Sequence, residues 1–324
     1  MGSANRKKMR VLILGGSGYI GRHLANRLSS VGIEYRCASR QSAIPDQKNF
    51  LVADTKNKND LVRAMANIDI VVNCVAGDFN SISDGARCLV EAALESGRPL
   101  IVHMSSMAVY GSFEGNADEE TRLDPSLGWY SRAKYNAELQ ISHYCAQGGR
   151  AVVLRPGCVY GPSSELWVGR IGRWLKAGRI GDIGLAGDGW SNLVHVDDVV
   201  SSIVSSFCIE ISDGRPEVFN LAAPDSPRWN EYFVDLALTI QAVPVKRVKI
   251  SQLFLDAYFY SPPAKLFEVI LQKLKLGYSP HSNPLPPALL KFFKQQIRID
   301  SSKAEKSLIK NWVSYHKAMN ALSD

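Results

Sequence analysis

Met9-Arg-Val-Leu-Ile-Leu14-Gly15-Gly-Ser-Gly18-Tyr-Ile-Gly21 decides how this chain is read. The apolar run up to Leu14 has strand length and reads as a buried parallel strand. The glycines after it read as a strand-to-helix turn. Glycine is required there for two reasons. A side chain would hold the backbone away from a pyrophosphate, and the turn uses backbone angles that other residues adopt at a cost. Arg22-His-Leu-Ala-Asn-Arg-Leu28 reads as the helix that follows. Its N-terminus offers unpaired N–H groups and a partial positive charge to a phosphate. Tyr35-Arg-Cys-Ala38 then supplies a second strand at the spacing of a βαβ unit. A glycine match alone is weak, and this context makes it a dinucleotide site. Gly15, Ser17, Gly18, Tyr19, Ile20 and Gly21 form its phosphate cradle.

Outward from that turn, the first half alternates strands and helices. Strands are expected at 10–14, 33–38, 49–52, 69–75, 99–104, 151–155 and 217–221, and helices near 20–30, 57–66, 82–96, 130–147 and 197–208. Such alternation predicts an α/β fold, a doubly wound parallel sheet of Rossmann type with helices on both faces. Residues 158–190 are glycine-rich, with a helix near 166–177, and 225–324 carry helices and proline breaks. The expected division is a dinucleotide-binding domain of 8–157 plus about 191–224. A smaller, discontinuous substrate lobe takes about 158–190 plus 225–324. Lys265–Leu276 is basic and amphipathic and reads as a lobe helix in preference to a membrane-surface one.

Composition excludes several classes. In 324 residues, 46% are hydrophobic and 21% charged, which is ordinary for a soluble globular protein. No apolar run reaches membrane-spanning length, and no signal peptide is visible before the first strand. The six cysteines form no Cys-x-x-Cys pair, so neither a disulfide framework nor a zinc site is expected. These features predict a cytoplasmic protein. The net charge of +7 suits a polyanionic cofactor, but no nucleic-acid module is recognisable.

Tyr130-Ser-Arg-Ala-Lys134 carries the chemistry. On a helix, residues four apart share a face. A tyrosine with a pKa of about 10 is a poor base at neutral pH, and an adjacent ammonium favours its phenolate. A hydroxyl partner comes from Val102-His-Met-Ser105-Ser106, at the end of a strand. Either serine is suited to donate to a substrate oxygen.

Taken together, the chain resembles the extended short-chain dehydrogenase/reductase family, also called the NAD-dependent epimerase/dehydratase family. The matching motifs are Gly15-x-x-Gly18-x-x-Gly21, Ser105-Ser106-x-x-Val-Tyr110-Gly111, Tyr130-x-x-x-Lys134, Arg155-Pro-Gly-Cys-Val-Tyr-Gly-Pro162 and His195-Val-Asp-Asp198. The resemblance covers nearly the whole chain. The resemblance implies that Ser106 polarises the substrate oxygen, Tyr130 is the acid/base and Lys134 tunes it. It also implies an adenine-side contact at Asp54, cofactor contacts at Val75 and Ala76, and a nicotinamide-side loop after Pro156. A homodimer through the Tyr130 helix and the 82–96 helix is a further implication, with a small molecule as substrate.

The residue closing the second strand selects the cofactor. An acid would bind ribose hydroxyls and repel a phosphate. Ser39-Arg40 stands there instead. A hydroxyl and a guanidinium suit a 2′-phosphate, so NADP(H) is preferred over NAD(H). Met107-Ala108 occupies the place of the family's dehydratase Asp-Glu pair. Gly157 replaces the asparagine usual in nucleotide-sugar enzymes, and 187–194 lacks their diphosphate arginine, which Arg170, Arg173 or Arg179 would have to replace. The expected activity is therefore an NADP-dependent hydride transfer between nicotinamide and a carbonyl or secondary alcohol. Nucleotide-sugar epimerisation or reduction is the alternative.

Overall fold

The computed structural model describes residues 9–40, 49–261, 263 and 285–322. Seven strands form one parallel sheet: β1 (Arg10–Leu14), β2 (Glu34–Ser39), β3 (Phe50–Val52), β4 (Ile70–Asn73), β5 (Leu100–Met104), β7 (Ala151–Pro156) and β10 (Glu217–Leu221). Their spatial order is β10-β7-β5-β4-β1-β2-β3. The order reverses between β1 and β4, which places a ligand crevice at the carboxyl ends of those two strands. All seven expected strands and the predicted doubly wound fold are present.

Alternation along each strand divides the core between two faces. Val11, Ile13, Val72, Val102 and Leu154 pack with Leu24 and Leu28 of α1 (Tyr19–Ser30). Leu12, Leu14, Val71, Ile101 and Val153 face the other way. There they meet Leu61 of α2 (Lys58–Ala64), Leu89 of α3 (Phe79–Glu95) and Ile141 of α4 (Trp129–Ala146).

Four three-residue strands were not expected. β6 (Gly115–Ala117) pairs in parallel with β11 (Ile297–Ile299), and β8 (Cys158–Tyr160) pairs with β9 (Leu193–His195). A second core lies beyond them. It gathers Ile171 and Trp174 of α5 (Arg170–Lys176), Trp229 and Phe233 of α7 (Trp229–Thr239), Phe293 and Tyr315. Trp229 is fully buried, with its ring 4.8 Å from that of Phe293.

Part of the last described segment packs on the main sheet. Ala304, Leu308 and Ile309 belong to the sheet's core, packed with Val199 and Ile203 of α6 (Val196–Ser205). Their apolar faces complete the layer over α1 and α6. Lys265–Leu276 lies outside the described residues.

Candidate active site

Two glycines bring backbone against backbone at the crevice, and a third packs on a side chain. Gly15 has φ +76°, and a Cβ there would stand 2.9 Å from the Cys74 carbonyl oxygen at the end of β4. A Cβ on Gly16 would meet the Cys37 side chain at 2.6 Å, and one on Gly21 would meet the Gly15 carbonyl oxygen at 2.3 Å. Gly18 caps α1 without a side chain, and the Arg22 N–H donates to its carbonyl at 3.0 Å. The N–H groups of Tyr19, Ile20 and Gly21 precede that bond and have no partner within the helix. Ser17 is exposed beside them. A cradle of this kind, open only because side chains are missing, fits a dinucleotide pyrophosphate.

The remaining cofactor candidates surround the same crevice. Ser39 ends β2 and Arg40 follows it, exposed. Hydrogen bonds from Ser81 hold the Asp78 carboxyl below its usual range, and the Arg40 charge adds to this. Asp54 follows β3 and turns back on itself, accepting from the Lys56 N–H at 3.0 Å. Val75 follows β4, its N–H donating to Asn73 Oδ1 at 3.2 Å, and Ala76 is exposed. Pro156 ends β7.

At the end of β5 the two serines part company. Ser105 is buried and donates to Glu138 Oε1 at 2.5 Å. Ser106 caps a 3-10 turn over Met107–Tyr110, accepting from the Ala108 N–H at 3.2 Å, and its side chain also hydrogen-bonds Tyr130. The residue identified as catalytic by motif register is thus the serine that reaches the tyrosine. Tyr130 is 37% exposed overall. Burial of its phenol raises the pKa, and the Ser106 bond opposes that rise. The Lys134 ammonium lies 6.0 Å from the Tyr130 ring centroid. It donates to the Met104 carbonyl at 2.6 Å. Lys134 is 3% exposed, and burial brings its pKa down to about 8.

Beneath these groups runs a buried polar network that the sequence reading missed. Arg155 grips Glu138 with two bonds, Nη2 to Oε2 at 2.7 Å and Nε to Oε1 at 3.0 Å. Its Nη1 donates to the Tyr110 hydroxyl at 3.0 Å, and that hydroxyl donates to Asn220 Oδ1 at 2.7 Å. A charged bidentate pair is among the stronger and more directional contacts available inside a protein. One signal was present. Glu138 stands four residues beyond Lys134, as Lys134 stands four beyond Tyr130, so all three share a helix face.

His195-Val-Asp-Asp198 has a structural role. His195 caps α6 through Nδ1, and Asp198, 3% exposed, accepts the Val313 N–H on both carboxyl oxygens at 3.1 and 3.2 Å. Burial pushes the Asp198 pKa up to about 6, against 3.8 for the free side chain. Between those values the folded protein holds a proton that the unfolded chain has released. Stability therefore falls as pH rises through that window. Asp198→Asn is expected to flatten the stability profile between about pH 4 and 6, read as urea midpoints across that range. Parallel profiles for the two proteins would refute the assignment.

The three arginines that could substitute for a diphosphate arginine have different partners. Arg179 binds Asp256, Nε to Oδ2 at 2.7 Å, and Arg173 is bonded to Glu165. Arg170 lies 5.1 Å over the Trp174 ring, and its buried Nε has no hydrogen-bond partner among the described residues. Gly157 is fixed by space, because a Cβ there would stand 2.0 Å from the Asn192 carbonyl oxygen. No cluster of metal-ligating side chains occurs among the described residues.

The family model for the NAD dependent epimerase/dehydratase family matches residues 11–222, and the chain belongs to that family. It is an NAD(P)-dependent enzyme. The N-acetyl-α-D-glucosaminyl-diphospho-ditrans,octacis-undecaprenol 4-epimerase of Escherichia coli O157:H7 is 25% identical over 207 residues, covering 60% of this chain and 61% of that protein. The UDP-N-acetyl-α-D-glucosaminuronate decarboxylase of Bacillus cytotoxicus is 26% identical over 261 residues, covering 71% and 79%. The UDP-glucose 4-epimerase of Thermotoga maritima, solved with UDP-glucose, shares the fold with a TM-score of 0.72 at 18% identity, covering 97% of each chain.

Proposed function

We propose that this enzyme acts on a diphosphate-linked sugar, oxidising one ring carbinol to a ketone and reducing it again. The convergence of Ser106, Tyr130 and Lys134 at the end of β5 carries the hydride-transfer reading. The sugar class is supported by relatives named for such substrates. This inverts the order expected from the sequence, where simple carbonyl reduction stood first.

A bound nicotinamide dinucleotide supplies the hydride acceptor and donor. Tyr130 takes the proton from the sugar hydroxyl as its C–H bond breaks, and returns a proton when the ketone is reduced. Ser106 donates to the same oxygen and keeps it beside the phenol. Lys134 places positive charge under the Tyr130 ring, which lowers the cost of the phenolate. Burial raises the Tyr130 pKa in the protein alone, so at neutral pH the phenol keeps its proton until further positive charge arrives. The second core, on this reading, is the substrate lobe. Six free cysteines support a reducing compartment such as the cytoplasm. A homodimer through α3 and α4 is part of this proposal on the family resemblance alone.

NADP(H) preference rests on Arg40, an exposed cation at the end of β2. Arg40→Ala is expected to weaken NADP(H) binding about tenfold or more, the range of one charged hydrogen bond, and to leave NAD(H) binding nearly unchanged. Fluorescence titration of both reduced cofactors checks this, and equal losses would refute it.

A second reading, stoichiometric reduction of a carbonyl, is favoured by Gly157, where no asparagine side chain fits. Thermal melting with saturating dinucleotide, with and without UDP or dTDP, separates the two. A ligand at ~100 times its Kd adds about 2.7 kcal/mol to the folded state. An upshift supports the sugar reading. No shift, together with NADPH consumption on ketones, would overturn it.

A further inference from the structure

The segment after Lys249 has the wrong outer face for a surface helix in water. Over α8 (Ile250–Leu255) and the π-turn Asp256–Tyr260, the inward stripe is Leu253, Ala257 and Ser261, all buried. That stripe alone satisfies the packing against the second core. Yet the same segment leaves Ile250, Phe254, Leu255, Tyr258, Phe259 and Tyr260 exposed, Phe259 by 64% and Tyr260 by 71%. The rings of Phe254 and Tyr258 stack at 4.3 Å. So many exposed apolar side chains gathered on one short segment mark an interaction surface.

Charge identifies what it fits. Beside the patch lies a cavity of about 710 Å³ lined by Lys246, Arg247, Gln252, Leu255 and Tyr260, with Arg179 and Asp256 within it. Arg179 and Asp256 neutralise each other. Arg247 is 3.6 Å from Asp182 but 82% exposed at its side chain, so that pairing is weak. Lys246 and Lys249 are exposed. The result is an aromatic platform bordered by cations and an open basic hollow. A second copy of the chain would bring these cations against one another. An anionic bilayer satisfies both parts, because aromatic rings settle at the level of the headgroups and each lysine or arginine near the surface adds attraction.

We propose that this face docks the enzyme peripherally on an anionic lipid surface, aromatic side chains at the acyl boundary and a lipid phosphate beside Lys246 and Arg247. The aromatic side chains lie on a segment of about three turns, so the contact is shallow and reversible, and among the described residues no helix is long and apolar enough to cross a membrane. The inference is independent of the sugar reading.

Vesicle sedimentation tests it on the intact chain, using phosphatidylglycerol–phosphatidylcholine vesicles and phosphatidylcholine vesicles alone. Binding is expected to the mixed vesicles and to fall more than tenfold without the anionic lipid. Phe259→Ser with Tyr260→Ser, and separately Lys246→Glu with Arg247→Glu, are each expected to lower the partition coefficient more than tenfold, with melting temperatures in the absence of lipid unchanged. No binding to anionic vesicles would overturn the proposal. So would binding that both double variants retain. A lipid-free dimer broken by the aromatic variants would assign the face to a second copy, and a lowered melting temperature would assign it to cover by the protein itself. Binding abolished by inorganic phosphate at matched ionic strength, but indifferent to the aromatic variants, would reduce the hollow to a simple anion site.

Discussion

Tyr130→Phe is expected to lower turnover by about 10²–10⁴-fold, the usual contribution of a positioned acid/base, while dinucleotide affinity stays within about twofold. The substitution removes one oxygen and little else. The Tyr130 ring meets Trp129 edge-on at 5.7 Å, a contact that phenylalanine keeps. Lys134 retains its bond to the Met104 carbonyl, so the charge below the ring stays in place. Melting temperature should therefore not move. Single-turnover reduction followed by nicotinamide absorbance is the measurement, because it isolates chemistry from product release. Retained turnover would place the proton transfer elsewhere and end the Tyr130 assignment.

Glu138→Ala is expected to cost about 3–5 kcal/mol of stability, the range for removing one partner of a buried ion pair. The Arg155 guanidinium is 4% exposed and Glu138 6%. Without the carboxylate, a buried cation keeps only neutral partners, and the Ser105 hydroxyl loses its acceptor as well. Urea unfolding without cofactor reads the loss. Adding Arg155→Met should recover part of it, since it removes the stranded charge although the smaller side chains leave a cavity. A loss below about 1 kcal/mol, or no recovery in the double variant, would show that the pair contributes little. Because Ser105 and Ser106 are neighbours on one strand end, a displaced Ser105 is also expected to lower turnover in whatever fraction remains folded.

The main sheet was legible because β1, β4, β5 and β7 are runs of apolar residues buried on both faces, which leave a mark in the sequence itself. β6, β8, β9 and β11 are three residues each and exist through pairing with distant segments, so no local pattern announces them. Ser106, Tyr130 and Lys134 were legible because their spacing is imposed by one strand end and one helix face. The choice between Ser105 and Ser106 rested on motif register, and its physical basis is the Glu138 carboxylate, which occupies Ser105. The roles of Arg170, Arg173 and Arg179 were indistinguishable in sequence. Only tertiary placement beside Glu165 and Asp256 separates the two engaged arginines from Arg170. Asp198 stands in a quoted motif, yet its partner, the Val313 N–H, is 115 residues away.

Val313, Ala304, Leu308 and Ile309 have a meaning for how the protein is made. The layer over α1 includes β1 and is closed by residues synthesised long after it. Until they arrive, one wall of the nucleotide domain stays greasy and open, and the search that closes it spans most of the chain, a slow event by loop-closure arithmetic. Translation therefore outruns completion of the dinucleotide-binding domain, and the nascent half is the stage most in need of chaperone protection.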